Sequence, residues 1–389
     1  MLIIALILFI AAGLCLVAAL YLTSQLRVLI PSRANRRARK AMRDIARMRL
    51  GFTGAGLLLL LIAAIFLFAG LSRPAAETPE DTQGTTLSTS APTTVPTQPT
   101  DPTVPPTTTP QLPPPEITWM TFPEGRELEA EIYFVYSCEQ QTFTVLSGDV
   151  DQRVYPASVT KLFTAYVGLQ ILPKDQVITV GDAIKLIGED ASRAWLQKGH
   201  KLTMEDLVAA MLLPSGNDAA YAIAQAAGEI LLENENATTQ QAVDAFLAEM
   251  NRQAKVLGMT GSHFVNPDGW KHEDHYTSVA DLALIANLAL ADPVISKCAQ
   301  IVETAVPVSE KKTLPLENTN YLIDPDSKYY CPYAVGLKTG FTAQAKNCLL
   351  SAFTWNESTW VIGTFRCASK EGRYLDTLYL LNETIASLT

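Results

Sequence analysis

The sequence predicts an α+β fold with one antiparallel sheet, preceded by two transmembrane helices. Segments in which apolar and polar residues partly alternate occur at 130–147 and again at 333–366, which is typical of strands. The residues between these segments favour helices. Strands at both ends and helices between them indicate a single sheet that forms when the two ends meet and is flanked by helices.

Two apolar stretches, residues 1–22 and 51–71, are predicted to cross a membrane as helices, since each has about 20 residues without a charge. The loop between them, residues 23–50, carries nine basic residues and one acid, Asp44. The positive-inside rule therefore places this loop in the cytoplasm and the rest of the chain outside. We expect a two-pass protein of the cell membrane with an extracytoplasmic globular domain. A cleaved signal peptide at 1–24 is the alternative, but no basic segment precedes the first apolar stretch.

Residues 72–117 are predicted to form an extended stalk. Within 74–115 there are 12 prolines and 13 threonines, with no lysine or arginine. A segment of this composition cannot bury a core. As a flexible coil it would span about 35–40 Å and hold the globular part away from the membrane.

Composition also argues against two classes of ligand. Outside the cytoplasmic loop, acidic residues greatly outnumber basic ones, so nucleic acid is not expected as a partner. The six cysteines show no C-x-x-C spacing, and His263, His272 and His275 fall in a predicted loop. We therefore expect neither a metal nor another cofactor.

The globular domain, predicted as residues 118–389, begins with strands and returns to strands before a final helix. In chain order, the predicted elements are a hairpin over 130–147, a helix that begins at Ser158, a helix over 207–213 after a capping-box pattern at 203–206, an alanine-rich helix over 219–230, strands over 333–338, 348–354 and 360–366, and a helix over 374–385. A turn over 356–359 would place Cys348 opposite Cys367, at a separation that a disulfide can bridge. Simple packing of two small apolar residues is the alternative.

Three short motifs in the chain together supply the parts of an acyl-transfer site. Ser158-Val159-Thr160-Lys161 places a hydroxyl and an amine one helical turn apart, so the amine can take the proton of the hydroxyl. Ser215-Gly216-Asn217 adds a second hydroxyl and an amide, and Lys338-Thr339-Gly340 adds a cation on a strand. Each motif is weak evidence alone. Their order and context favour catalysis through a covalent serine ester.

Further segments match the pattern of a known family: 212–220, 250–251, 257–259, 264–269, 275–278, 318–320, 338–342 and 348–349. With these segments, residues 128–382 resemble the serine D-alanyl-D-alanine carboxypeptidases, the low-molecular-mass penicillin-binding proteins. The resemblance implies a β-lactamase/transpeptidase-like fold, in which an antiparallel sheet flanked by helices meets an all-helical lobe. It also implies that the partners are the peptidoglycan stem peptide and β-lactam antibiotics, which act as covalent inhibitors.

The resemblance implies three catalytic residues. Ser158 attacks the carbonyl of the penultimate D-alanine, Lys161 acts as base, and Ser215 relays a proton to the departing D-alanine, although the assignment of the base stays open among these groups. Lys161 can act only if its amine is neutral, and burial together with the cation of Lys338 would lower its pKa.

The resemblance also implies the residues that bind the substrate. The oxyanion would be held by the backbone N–H groups of Ser158 and Phe341, and the free carboxylate by Arg373. The complete predicted set is Asn217, Lys338, Thr339, Gly340, Phe341 and Arg373. Two departures from the family pattern are Gly269-Trp270 and Ala345-Lys346, and the second adds a charge near the cleft.

Other interpretations stay open at this point. Ser158 and Lys161 could be an ordinary helix start, Ser215 and Asn217 a helix cap, Lys338 a solvated strand end, and Arg373 a structural residue. A DD-endopeptidase, a β-lactamase or a non-catalytic wall-binding protein could share the fold. A β-lactamase would need a group that activates water, and the segment between Asn217 and Lys338 contains no convincing Glu-x-x-x-Asn.

The predicted topology can be tested with cysteine reporters in intact cells. We expect Ser32→Cys to stay unlabelled by a membrane-impermeant maleimide, because the basic loop is cytoplasmic, and Thr97→Cys to be labelled. The reverse pattern would contradict the two-span topology.

Overall fold

The computed structural model describes residues 125–234 and 236–388. The predicted membrane helices, the basic loop and the stalk lie outside the described residues. Within the described part, no single helix is long and apolar enough to cross a bilayer. Two successive helices over 279–300 pass the same test only as a pair, and they are bent by 94°.

The elements alternate between strands and helices at the start, are mainly helical in the middle and end with three long strands and a helix. In chain order they are β1 (Ile132–Ser137), β2 (Thr142–Leu146), β3 (Arg153–Val154), α1 (Thr160–Ile171), β4 (Val177–Thr179), β5 (Lys201–Thr203), α2 (Met204–Leu212), α3 (Asn217–Leu232), α4 (Thr239–Val256), β6 (Thr277–Ser278), α5 (Val279–Ala291), α6 (Pro293–Gln300), β7 (Glu303–Ser309), β8 (Lys312–Glu317), β9 (Ala334–Thr342), β10 (Lys346–Trp355), β11 (Ser358–Cys367) and α7 (Gly372–Ala386).

A five-stranded antiparallel sheet joins the two ends of the described chain, in the order β2-β1-β11-β10-β9. The predicted sheet and its N-terminal hairpin are therefore confirmed. Alternate residues of the strands enter different cores: Leu349 and Ile362 pack with α7, while Leu350 and Phe365 belong to the larger core that includes α1 and α2. Because both faces are covered, the central strands are buried almost throughout.

Helices α1 to α6 form the second part of the fold. Helix α3 presents small residues to α4, and a Cβ atom on Gly228 would lie only 1.8 Å from the carbonyl oxygen of Ala242. The two helices can approach this closely only because the position is glycine. The predicted cap at Thr203 is present, since its hydroxyl accepts a hydrogen bond from the backbone N–H of Asp206 at 3.1 Å.

The turn between β10 and β11 is shorter than predicted. Asn356 and Glu357 have φ values of 47° and 62° and form a two-residue connection, a backbone that matches the twist of the paired strands. Cys367 pairs with Asn347, and the register shift between Asn347 and Leu349 leaves Cys348 out of the pairing with β11. The predicted opposition of the two cysteines is wrong, and both thiols are free.

Candidate active site

Ser158 lies in a 3₁₀ turn, Ala157–Val159, that leads directly into α1. Two glycines allow other backbone segments to approach this turn. A Cβ on Gly269, where φ is +79°, would lie 1.8 Å from the carbonyl oxygen of Ala157. A Cβ on Gly340 would lie 3.2 Å from the backbone nitrogen of Ser158. Strand β9 and the loop around 269 are thereby held against the serine from two sides.

The amine of Lys161 is fully buried and contacts Ser158. Its Nζ lies 3.0 Å from Ser158 Oγ, 2.8 Å from Asn217 Oδ1 and 2.8 Å from the carbonyl oxygen of Asp268. The amide and carbonyl oxygens can only accept hydrogen bonds. When the amine is neutral, its two N–H groups serve these two oxygens and its lone pair remains for the hydroxyl proton of Ser158.

Burial lowers the pKa of Lys161 to about 8, and the charges of Asp268 and Asp218 oppose this shift. Lys338 is buried as well, and its pKa is lowered by burial first and then by the charges of Lys161 and Arg373. Burial is therefore the main reason why the pKa of Lys161 is low.

The hydroxyl of Thr339 pairs with that of Thr319 at 2.7 Å. Lys338 Nζ donates to the carbonyl oxygen of Thr339 at 3.0 Å and lies 3.5 Å from both hydroxyls. Sequence reasoning did not assign Thr319 to the site, although the segment Asn318-Thr319-Asn320 matched the family pattern. That match was the available signal.

The Ser215 motif is held in a strained turn before α3. Ser215 is buried and has a φ of 62°, a left-handed backbone that is costly for a residue other than glycine. The backbone N–H of Asn217 donates to the carbonyl oxygen of Ser192 at 2.8 Å. The buried carboxylate of Asp218 accepts the N–H groups of Ala194 and Leu196, each at 2.9 Å. These bonds fix the 192–196 loop, and sequence reasoning had given Asp218 no role.

Arg373 lies in the first turn of α7 and is buried. Its guanidinium donates to the carbonyl oxygen of Gly340 at 3.3 Å and to the hydroxyl of Tyr374 at 3.0 Å. That hydroxyl donates in turn to the carbonyl oxygen of Thr319 at 2.7 Å. Among the described residues, the buried Nε–H of Arg373 has no hydrogen-bond acceptor.

These side chains surround a cavity of about 570 Å³. Seven of the nine predicted residues line it: Ser158, Ser215, Asn217, Thr339, Gly340, Phe341 and Arg373. The other two, Lys161 and Lys338, are buried and contact lining residues. Trp270 also lines the cavity, whereas Lys346 is not among its lining residues and pairs with Glu131. Among the residues that the structure describes, no cluster of His, Cys, Asp or Glu could hold a metal ion.

Comparisons with known proteins point to one family. Residues 121–363 match the family model described as D-alanyl-D-alanine carboxypeptidase, peptidase S11. The D-alanyl-D-alanine carboxypeptidase DacF of Bacillus subtilis is 32% identical over 231 residues, which cover 58% of this chain and 55% of that protein. A D-alanyl-D-alanine carboxypeptidase of Streptomyces sp. K15 is 32% identical over 230 residues, 57% of this chain and 75% of that protein.

The crystal structure of the Streptomyces K15 DD-transpeptidase superposes with a TM-score of 0.60 at 27% identity, over 67% of this chain and 98% of that one. The mixed α/β fold therefore matches that of a DD-transpeptidase. The chain spans only about half the length of the Bacillus relative.

The lowered pKa of Lys161 predicts a pH dependence. A base must be unprotonated, so the rate at which a reactive ester acylates Ser158 should rise with pH and level off above about 8. Rapid-quench mass spectrometry of the full-length protein in detergent micelles would measure this rate. Lys271→Ala, which removes an exposed lysine of the same cavity, should leave the profile unchanged. A flat profile for the wild type would contradict Lys161 as the base.

Proposed function

The chain belongs to the D-alanyl-D-alanine carboxypeptidase family, and from this we propose that it removes the terminal D-alanine of peptidoglycan stem peptides through an ester on Ser158. The observation that carries the proposal is the fully buried amine of Lys161, 3.0 Å from the hydroxyl of Ser158. An ordinary surface lysine after a helix start would be solvated. This one lies beneath a cavity and has the lowered pKa that a general base needs.

In the proposed first step, Ser158 Oγ attacks the carbonyl carbon of the penultimate D-alanine while its proton moves to Lys161 Nζ. The backbone N–H groups of Ser158 and Phe341 stabilise the oxyanion. The bond to the terminal D-alanine then breaks, and Ser215 relays the proton to the departing amine. Water finally hydrolyses the ester and restores the free serine.

The substrate would lie along the outer edge of β9. This strand is the last of the five-stranded sheet, so its outer edge offers main-chain groups to an added strand. Asn217 Oδ1 already accepts from Lys161, which leaves its N–H₂ group for the substrate amide. Arg373, a cation in the cavity lining, would receive the terminal carboxylate.

Two further aspects of the proposal follow from the same reaction. Penicillin carries a carboxylate and a strained amide, so it would acylate Ser158 as a covalent inhibitor.

The substrate lies in the cell wall, and we infer that the protein is anchored in the cell membrane by the two apolar stretches with its catalytic domain outside. The nine basic residues of the loop between the two stretches support this orientation.

Ser158→Ala tests the nucleophile. The full-length wild type in detergent micelles should release D-alanine from a pentapeptide ending in D-Ala-D-Ala and should gain the mass of one penicillin. Ser158→Ala should do neither, whereas Ser192→Ala, a serine in the same cavity wall, should still gain the mass. Acquisition of the penicillin mass by Ser158→Ala would refute the nucleophile. A wild type that frees no terminal D-alanine would refute the substrate.

Arg373→Ala tests the proposed carboxylate contact. We expect kcat/KM for D-alanine release to fall about 10- to 100-fold, because a charge-assisted hydrogen bond to the substrate is lost. Acylation by an ester without a carboxylate should change much less. Lys370→Ala removes another cation from the cavity lining and controls for a general loss of positive charge. Equal losses with both substrates would assign Arg373 a structural role.

A further inference from the structure

Asp268 is a buried carboxylate in the cavity wall that the reaction scheme above leaves unused. Only 2% of the residue is exposed, and it lines the cavity beside Gly269. Its Oδ1 accepts the backbone N–H of Trp270 at 3.0 Å. Asn266 Oδ1 accepts the N–H groups of Gly269 and Trp270 at 2.8 Å and 3.0 Å, which fixes the same loop. The carboxylate is therefore held in place before any ligand arrives.

Two parts of Asp268 act on Lys161. The main-chain carbonyl oxygen accepts from Nζ at 2.8 Å and so orients the amine. The side-chain carboxylate acts through its charge, and because both side chains are buried, water screens this interaction weakly. Burial raises the pKa of Asp268, and the charge of Lys161 opposes that rise. Each group thus favours the charged form of the other.

Other titratable groups lie near Asp268 and Lys161. Asp218 adds a second negative charge that favours the ammonium form of Lys161. Tyr221 and His275 are neutral near pH 7, because burial raises the pKa of the first and lowers that of the second to about 3. The cations of Lys338 and Arg373 lie near Lys161 as well, and the cavity lining also carries Asp190, Lys271 and Lys370.

We propose that Asp268 is a positioning residue that stabilises the ammonium form of Lys161 after Ser158 has given up its proton. This inference rests on the proposed acyl-enzyme mechanism. Proton transfer from Ser158 Oγ to Lys161 Nζ creates a cation in a buried site, where an unpaired charge is costly. A carboxylate already fixed nearby offsets part of that cost without further rearrangement. The same proton then leaves through Ser215 to the departing amine.

Asp268→Asn separates the two effects, because it keeps the main-chain carbonyl and nearly the same shape but removes the negative charge. Without that charge the pKa of Lys161 falls. Acylation increases with pH as Lys161 loses its proton, so the acidic limb of the pH profile should move to lower pH, by about one unit. The limiting rate should fall about tenfold, since one pKa unit corresponds to a tenfold difference.

The experiment measures acylation of the full-length protein by benzylpenicillin against pH, with intact mass as the readout. Asp268→Glu keeps the charge and should retain the wild-type limb. Asp281→Asn removes a buried carboxylate that accepts hydrogen bonds from Gly261 and Ser262. None of these three residues lines the cavity, so this variant should also retain the wild-type acidic limb. If Asp268→Asn shows no cooperative thermal unfolding, Asp268→Ser replaces it, because serine also lacks the charge.

The outcomes separate this inference from the proposed function. A limb displaced to lower pH in Asp268→Asn alone supports the role of Asp268. A slower rate with an unmoved limb makes Asp268 a structural residue and overturns the inference, while the proposed function stands. A wild type that never gains the penicillin mass overturns the proposed function and the inference with it.

Discussion

Removal of the Lys161 amine from water is the constraint on which the candidate site depends. Burial disfavours the charged form of the amine, and only a neutral amine can take a proton from Ser158. Burial also requires that the N–H groups find acceptors. The fold supplies Asn217 from the start of α3 and Asp268 from the loop before β6. Two segments distant in sequence must therefore be in place before the serine can react.

The sheet contributes the outer edge of β9 and brings this strand close to the Ser158 turn. Strand β9 ends the sheet and passes so near the Ser158 turn that a side chain on Gly340 would crowd the serine nitrogen. From the opposite side of the strand, α7 reaches the cleft through Arg373, which binds the carbonyl oxygen of Gly340, and Tyr374, which binds that of Thr319. The last helix thus holds β9, the strand along which the substrate is proposed to lie, as well as covering one face of the sheet.

Sequence reasoning succeeded where the signal was local. Alternation predicted the strands of the sheet, and the one-turn spacing of Ser158 and Lys161 placed the hydroxyl beside the amine. It failed at the turn before β11, where two residues with positive φ replaced the longer loop expected from composition. Sequence reasoning also gave Asp268 no role, because this residue contacts Lys161 although the two are 107 positions apart in the sequence, and no local pattern encodes the contact. The membrane helices and stalk remain predictions.

The two buried lysines differ in their surroundings, and this difference suggests how they divide their tasks. Lys161 has the carboxylates of Asp268 and Asp218 nearby, whereas Lys338 contacts hydroxyl and carbonyl oxygens and lies near the cation of Arg373. In the free site, a proton is therefore better accommodated on Lys161. A substrate carboxylate at Arg373 would favour the ammonium form of Lys338. Since the two cations repel each other, that charge would lower the pKa of Lys161, and substrate binding itself would favour the free base that the reaction needs.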